Sequence, residues 1–539
     1  MTIAGLLRER AVGPHADKLA IRFLSHGVWT EKTWGEFWAA AAAAAGSLLA
    51  FGVKPGDRVL MLVPEVEPAV IALFGLWIIG AIPIQVGQPG SVRQRPEFLA
   101  NLASTAQRLG ASLLITTPTI AAQQDFGSLR VFSTADLSIG AGQSLPDPND
   151  ATGTAFIQLT SGSTSQPRGV TIPHDRLMIH MQSMSECLPS HSESVAVSWL
   201  PLHHDMGLLG GLLFPFYNGF PAHMISTYDF QSRPGVWLET MSRFRATIAA
   251  APPSAYAICV QLAPRLLRQG IDLSAWECAM IGAEPIPASL VRRFSQAFAT
   301  SGFRPQAFFP VYGLAEATVA VTFPQILAPT RIDAISRTAL QERGVAVRGD
   351  DMELVAVGRP ISQTDVRIVD NGIDLPERHI GEILVKSASL STGYDGQPEE
   401  TAKTFRDGWL HTGDLGYLAN GELFVTGRKK ELIIKGGQNL IPSVLEEIVA
   451  ALPGIREGAV AAVGVRSPEL ETEFCCIVAE TRLEASEQPR LVDEIRHSLR
   501  THGVHVDKVV LMPPKSLPKT TSGKLQRLAI AGMITERLA

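Results

Sequence analysis

A large α/β domain followed by a small α+β domain is the fold class this sequence predicts, on three observations. Apolar, strand-like runs recur between segments of helical spacing, the chain is 539 residues long, and the patterning changes near Arg428. Such a length exceeds what one ordinary core organises, so the larger part is expected to comprise several subdomains. An Ala-rich segment from Phe37 to Leu49 reads as a helix. GVKPGDRVLMLVP (52–64) reads as a turn feeding a buried strand, and a helix from about Ala69 followed by AIPIQV (81–86) repeats that order. This is the βαβ rhythm of a parallel sheet with helices on its faces. ASLLITT (111–117), SVAVSWLP (194–201), RATIAAAP (245–252) and WECAMIGA (276–283) continue it.

Near the end, GELFVTGRKKELIIKGG (421–437) alternates like short strands. Ser443 and Glu446 read as a capping box, and Leu445, Ile448, Val449 and Leu452 give the helix behind it one apolar face. AVAAVGV (459–465) and FCCIVAE (474–480) read as strands. A helix around Leu491, Ile495 and Leu499 ends at Gly503, and VDKVVLM (506–512) follows. The expected division is residues 1–427 and 428–539. No repeat with a period of about 20–50 residues is evident, which counts against solenoids and propellers.

Hydrophobic content of 46% against 18% charge is that of a globular chain, and 47 Gly with 36 Pro imply many turns. A net charge of -5 without a basic tail argues against a nucleic-acid partner, which requires clustered positive charge. Cys187, Cys259, Cys278, Cys475 and Cys476 have neither metal-ligand spacing nor a disulfide framework, so a reducing cytoplasm is the expected location. Arg8, Glu9 and Arg10 interrupt any signal-length apolar run. The uncharged stretch Pro68 to Ile84 contains Pro83 and glycines, and so reads as a buried helix and strand rather than a transmembrane span.

The most informative segment is FIQLTSGSTSQPRGV (156–170). An apolar strand opens into Thr160, Ser161, Gly162, Ser163, Thr164, Ser165, Gln166, Pro167, Arg168 and Gly169. Glycines let backbone amides approach an anion, hydroxyls donate further hydrogen bonds, and Arg168 adds fixed positive charge. That chemistry suits a polyphosphate, although the pattern is not a Walker loop and composition alone would also fit a solvated turn.

With SWLPLHHDMG (198–207), IGAEPIP (281–287), VYGLAEATV (311–319), WLHTGDLG (409–416), GRKKELIIKGGQN (427–439) and PKTTSGKLQR (518–527), this loop makes the chain resemble the adenylate-forming superfamily over nearly its whole length. That superfamily includes acyl-CoA synthetases, luciferases and nonribosomal-peptide adenylation domains. LPLHHDMGLLGG (200–211), the segment 230–256 and the extended connection 329–347 are most similar to fatty acyl-AMP ligases. Ser165 and Arg168 depart from the family's usual glycine and lysine.

The resemblance implies a mobile C-terminal domain, ATP and Mg2+ as cofactors, and a carboxylic-acid substrate converted to acyl-AMP with release of pyrophosphate. It implies that Thr160, Ser161, Gly162, Ser163, Thr164, Arg168 and Gly169 cradle phosphates, and that Thr160 and Glu316 hold the metal. Tyr312 would stack on adenine beside Gly313, with Gly282, Ala283 and Glu284 lining the purine pocket. Asp414 would accept both ribose hydroxyls and Arg428 would approach the same nucleotide; a turn aspartate and a surface arginine are the plain alternative. Their separation across an expected domain joint has no turn logic of its own.

Lys524 would stabilise charge on the α-phosphate, carried on a loop loosened by Thr520, Thr521, Ser522 and Gly523. Lys430 matches the hinge position, against the reading of a solvated basic run. His204 would border the acyl channel as part of the catalytic set. His203 and His204, read as strand neighbours, point to opposite faces and so could not share a metal. Gly207, Gly210 and Gly211 would leave space there, with Leu208, Leu209, Leu212, Leu213 and Phe214 either walling a tunnel or packing as core.

The expected acceptor is the phosphopantetheine thiol of an acyl carrier protein. Free CoA is the alternative, and a non-catalytic nucleotide or acyl-adenylate binder is the alternative of another class. A binder would be expected to lack Glu316, Asp414 or Lys524, and all three are present.

Overall fold

The computed structural model describes residues 1–88, 95–140, 142, 144–151, 153–160, 167–188, 190–435, 438–466, 473–519 and 524–538. Its central sheet has seven strands in the order Phe308–Pro310, Cys278–Ile281, Ile248–Ala251, Ala196–Ser198, Ala222–Ile225, Leu19–Ser25 and Val28–Thr33. All neighbours are parallel except the last pair, an N-terminal hairpin that closes one edge. A second, wholly parallel sheet joins Ile82–Gln85, Arg58–Leu62, Leu113–Thr116 and Arg130–Ser133. The strand-like runs expected in this region all form strands, and the uncharged stretch becomes the helix Val66–Ile78 and the strand Ile82–Gln85. From Ala69 to Ile78 every side chain on that helix except Ile71 is buried. A helix apolar all round belongs inside a core.

The Ala-rich helix runs Trp34–Ala50, beginning three residues before the expected start. Its capping box uses Thr33 and Glu36, a signal present in the sequence and not read. The box expected at Ser443 and Glu446 does not form. The helix Pro442–Ala450 has Ile441 at its N-cap with no side-chain bond, and the Glu446 carboxylate instead accepts from the Ala462 backbone N–H at 3.0 Å and from Arg527 at 2.7 Å. Proline at the first helical position carries no N–H to cap, and an arginine is the stronger partner for the acid.

After the central sheet comes an antiparallel sheet in which Trp409–Ala419 pairs with Gly381–Ser387 on one side and with Glu422–Arg428 on the other. Beyond it, the antiparallel pair Ile455–Arg466 and Glu473–Thr481 is extended by the parallel strand Lys508–Met512. Alternation on this sheet is clean. Cys475, Ile477 and Ala479 face Leu445, Val449, Leu491, Ile495 and Leu499, while Cys476 and Val478 face Ile530 and Ile534 of the C-terminal helix Arg527–Leu538. The extended connection folds as the strand Ile332–Ile335, the helix Arg337–Arg343 and the return strand Met352–Val355. Its Ile335, Leu340 and Met352 share a core with Tyr417, Phe424 and Ile441, and Arg337 Nη1 donates to the His502 carbonyl at 3.3 Å. Among the described residues no helix is long and apolar enough to cross a membrane.

Candidate active site

Parallel strands that end together bring the loops at their carboxyl ends together, and open α/β sheets bind ligands there. Cys278–Ile281 leads into Gly282, Ala283 and Glu284, and the neighbouring strand Phe308–Pro310 leads into Tyr312 and Gly313. The loops touch: a Cβ on Gly282 would lie 2.7 Å from the Val311 carbonyl oxygen, and one on Gly313 would lie 1.7 Å from that of Val319. Ala283 turns with φ +67°. Glu284 receives long contacts of 3.4 Å from the Ser254 N–H and hydroxyl.

The Tyr312 hydroxyl donates to Asp414 Oδ2 at 2.6 Å, while Arg428 Nε stands 3.2 Å from Asp414 Oδ1. Asp414 and Arg428 are direct cross-strand partners in the hairpin formed by Trp409–Ala419 and Glu422–Arg428. Their fourteen-residue separation is therefore the register of one local hairpin, contrary to the expectation that it had no turn logic of its own. Burial pushes the Asp414 carboxyl above its usual range, opposed by the Arg428 charge, the Tyr312 bond and Lys524. Asp414 in turn raises the Arg428 guanidinium, and burial beside Asp414 drives the Tyr312 phenol well above 10.

Lys524 is half-buried, and burial lowers its pKa against the pull of Asp205, Glu284 and Asp414, with Arg428 adding to the lowering. The same lysine acts on Asp205, Glu284 and Asp414 in return. The tail thus brings its cation within electrostatic reach of Glu284 and of the Asp414 and Arg428 pair.

Glu316 lies in the short turn Ala315–Ala317, closed by Thr318 at φ +70° and tied at its carbonyl by the Ser391 N–H at 3.0 Å. Its Oε1 accepts the Tyr394 hydroxyl at 2.7 Å, and burial raises its pKa against that bond. Arg168 lies 4.9 Å over the Tyr394 ring and pairs with Glu400 at 2.9 Å. Thr160 and Arg168 face each other across the hairpin Thr154–Thr160 and Arg168–Pro173. Gly169 has a packing reason to be glycine, since its Cβ would come within 2.8 Å of Ile157 Cγ2. Ser161, Gly162, Ser163, Thr164, Ser165 and Gln166 lie outside the described residues, as do Thr520, Thr521, Ser522 and Gly523.

His204 Nδ1 lies 2.8 Å from Asp205 Oδ1, and the Met206 N–H donates to both. Burial would raise the Asp205 carboxyl, but His204 and Lys524 outweigh it and the net shift is downward. Pro201–His204 is a turn and not a strand, so the argument that the two histidines point to opposite faces does not apply. Burial holds His203 neutral, with a pKa of about 4. Met206–Leu213 winds as a π-helix. Gly207 and Gly211 leave no space there, because a Cβ on either would lie 2.3 Å from the Pro201 oxygen or from Ser198 Oγ; only Gly210 has room. Leu208, Leu209, Leu212, Leu213 and Phe214 pack in the main core. Lys430 is exposed on the turn Lys429–Glu431, and its charge is felt at Glu400.

Two site residues escaped the sequence reading. Tyr394 carries no periodic or charge signal. Arg527 closes PKTTSGKLQR, where its place could have drawn attention, and it binds both Glu431 and Glu446 at 2.7 Å.

A family model described as AMP-binding enzyme matches residues 7–395. The chain belongs to the AMP-binding enzyme family. This member is 34% identical over 512 residues to the medium-chain-fatty-acid [acyl-carrier-protein] ligase JamA of Moorena producens, covering 88% of this chain and 85% of that one. It is 32% identical to the long-chain-fatty-acid AMP ligase FadD26 of Mycobacterium marinum, covering 98% and 96%. Among solved structures, one from a study of fatty acyl-adenylate ligases of E. coli and L. pneumophila superposes with a TM-score of 0.91 at 31% identity, over 100% of this chain and 98% of that one. Such enzymes are ATP-dependent and act on carboxylic acids, and this AMP-binding enzyme is a ligase of that kind.

Proposed function

We propose that this enzyme joins a fatty or other apolar carboxylic acid to AMP from ATP, releases pyrophosphate, and passes the acyl group to the phosphopantetheine thiol of a carrier protein in the cytoplasm. The observation that carries this reading is Lys524: the tail of the chain places its cation within electrostatic reach of Asp205, Glu284, Asp414 and Arg428. In this reading residues 428–539 form the C-terminal domain, standing in an adenylation pose.

There Tyr312 and the loop Gly282 to Glu284 would receive the purine, the backbone held in tight contact because Gly282 and Gly313 carry no Cβ. Asp414 keeps acceptor capacity beyond its bonds from Tyr312 and Arg428, enough for ribose hydroxyls. Thr160, Ser161, Gly162, Ser163, Thr164, Arg168 and Gly169 would line the phosphate path. Lys524 would meet charge developing on the α-phosphate as the carboxylate attacks, a stabilisation realised more in the transition state than in the reactants. No covalent nucleophile on the protein is needed, because positioning and charge neutralisation carry the step.

A single carboxylate suits Mg2+, which keeps several waters and takes phosphate oxygens as its other ligands. Glu316 and Thr160 would hold it, while the Tyr394 hydroxyl steadies the Glu316 carboxylate at Oε1. Bound there, Mg2+ would neutralise phosphate charge. Lys430 would be the pivot for the turn to a transfer pose, and His204 would border the acyl channel. The core shared by Ile335, Leu340 and Ile441, with the Arg337 to His502 bond, would have to part for that turn, and the likeness to an acyl-carrier-protein ligase favours a carrier protein over free CoA.

Acid-dependent exchange of labelled pyrophosphate into ATP, run over a panel of aliphatic and aromatic acids, tests the first half. Thioester formation on a phosphopantetheinylated carrier protein against CoA tests the second. ATP binding with no exchange for any acid would replace this reading with that of a nucleotide binder, and equal thioester yield on CoA would remove the carrier-protein assignment.

A further inference from the structure

Glu480 is the last residue but one of Glu473–Thr481, the middle strand of the C-terminal sheet, and is fully buried. A buried carboxylate is normally expelled or paired, and this one is held on every side. Its Oε1 accepts the N–H groups of Ser516 and Leu517 at 2.8 and 2.9 Å, and its Oε2 accepts the Lys515 N–H at 2.9 Å and the Arg456 guanidinium. Three consecutive amides converge because Lys515 takes φ +68°, a left-handed turn that makes an anion-binding nest. The anion that fills the nest belongs to the chain itself.

What lies beyond the nest gives it a purpose. Leu517 packs with Met512, Ile530 and Ile534, and Lys519 Nζ donates to the Gly458 carbonyl at 2.9 Å. Lys519 then bridges to Leu525, and the Gln526 N–H donates to the Pro518 carbonyl at 3.1 Å. Lys524 therefore leaves from a neck whose base is gripped by Glu480. Burial alone would raise the Glu480 carboxyl, but the bonds from Leu517 and Lys515 and the Arg456 pair more than offset it, so the acid is held ionised at neutral pH.

We infer that Glu480 is a positioning residue for adenylation: by filling the nest at Lys515 to Leu517 it fixes where Lys524 stands relative to Asp205, Glu284 and Asp414. The inference rests on the reading of Lys524 as the adenylation cation. Glutamine at 480 preserves shape but loses charge and turns an NH2 group toward N–H donors, so the nest opens.

Two measurements on the full chain test it. The first is pyrophosphate exchange with octanoic, dodecanoic and hexadecanoic acids, compared with thiol acylation from supplied dodecanoyl-AMP, for wild type, Glu480→Gln and Lys524→Ala. Misplacement of a catalytic group by about 1 Å costs on the order of a hundredfold. Glu480→Gln is accordingly expected to lower exchange by that order and leave acylation from the supplied adenylate within about twofold. The second needs no substrate acid: acetic anhydride labelling of Lys524 read by mass spectrometry, with Lys435, paired to Asp507 at 2.6 Å in the same sheet region, as internal reference. Faster labelling of Lys524 with Lys435 unchanged supports the inference. Equal acceleration at both lysines, or unchanged labelling and exchange in Glu480→Gln, overturns it. If Lys524→Ala itself leaves exchange undiminished, the reading of Lys524 fails and the inference falls with it.

Discussion

Replacing Tyr312 with Phe keeps the ring and removes one hydroxyl, and the structure sets the cost of that change. The lost bond is 2.6 Å long and ends on a carboxylate that is 7% exposed. A hydrogen bond to a charged group contributes about 1.5–3 kcal/mol. Stripping a buried ion of every partner costs more, about 3–5 kcal/mol, but Arg428 Nε remains 3.2 Å from the other oxygen, so the lower range applies. At about 1.4 kcal/mol per decade this is roughly 10- to 150-fold. Because Asp414 is read as holding the ribose in both ground and transition states, the loss is expected in the KM for ATP, with kcat nearly unchanged.

The pH profile adds a sign. Asp414 binds as a carboxylate; burial raises its pKa, and the Tyr312 hydroxyl opposes that rise. Removing the hydroxyl raises the pKa further, so the acid limb of kcat/KM for ATP moves to higher pH. Pyrophosphate exchange measured against ATP concentration from pH 5 to 8 reads both effects. An unchanged KM together with an unmoved acid limb in Tyr312→Phe would refute the placement of Asp414 on the nucleotide.

Two further outcomes are expected. Gly313→Ala puts a Cβ 1.7 Å from the Val319 carbonyl oxygen, a backbone clash that no rotamer relieves; overpacking of this kind costs about 1–3 kcal/mol. It should lower the denaturant midpoint and abolish exchange, and a fully active, equally stable variant would contradict the packing of that loop. His180 and His223 are buried and neutral, each with a pKa of about 3 against 6.5 when unfolded. A depressed histidine pKa means the unfolded chain binds the proton first, so stability present above pH 6.5 declines as pH falls toward 3. By pH 5 that is about 2 kcal/mol for each, read as a fall in guanidinium midpoint from pH 7 to pH 5; a flat profile would show that these two are not buried neutral groups.

How much of the site was legible depended on whether a residue's role is local. The parallel strands were readable because a strand buried on both faces is apolar along its length, as Val59 to Leu62 and Leu113 to Ile115 are. Gly282, Tyr312, Glu316, Asp414 and Lys524 were readable only as parts of ordered motifs, since nothing in spacing or periodicity picks out any one of them. The capping box at Ser443 failed for a different reason: the pattern was present, but Arg527, some eighty residues later, offered Glu446 a better partner. The space expected beside His204 failed because a glycine in a sequence does not say whether its missing Cβ leaves room or merely permits contact, and Gly207 and Gly211 do the latter.

By itself the sequence determined the α/β class, the α+β texture after Arg428 and the family, because apolar periodicity and motif order are properties of neighbouring residues. Only the tertiary structure decided that Asp414 faces Arg428 across a hairpin, that Tyr394 bonds Glu316, and that Glu480 grips the base of the Lys524 loop. Each of those contacts depends on where a strand register or a turn delivers an atom to within about 3 Å, the range over which a hydrogen bond forms. A chain encodes that outcome through all of its packing at once and through no single stretch.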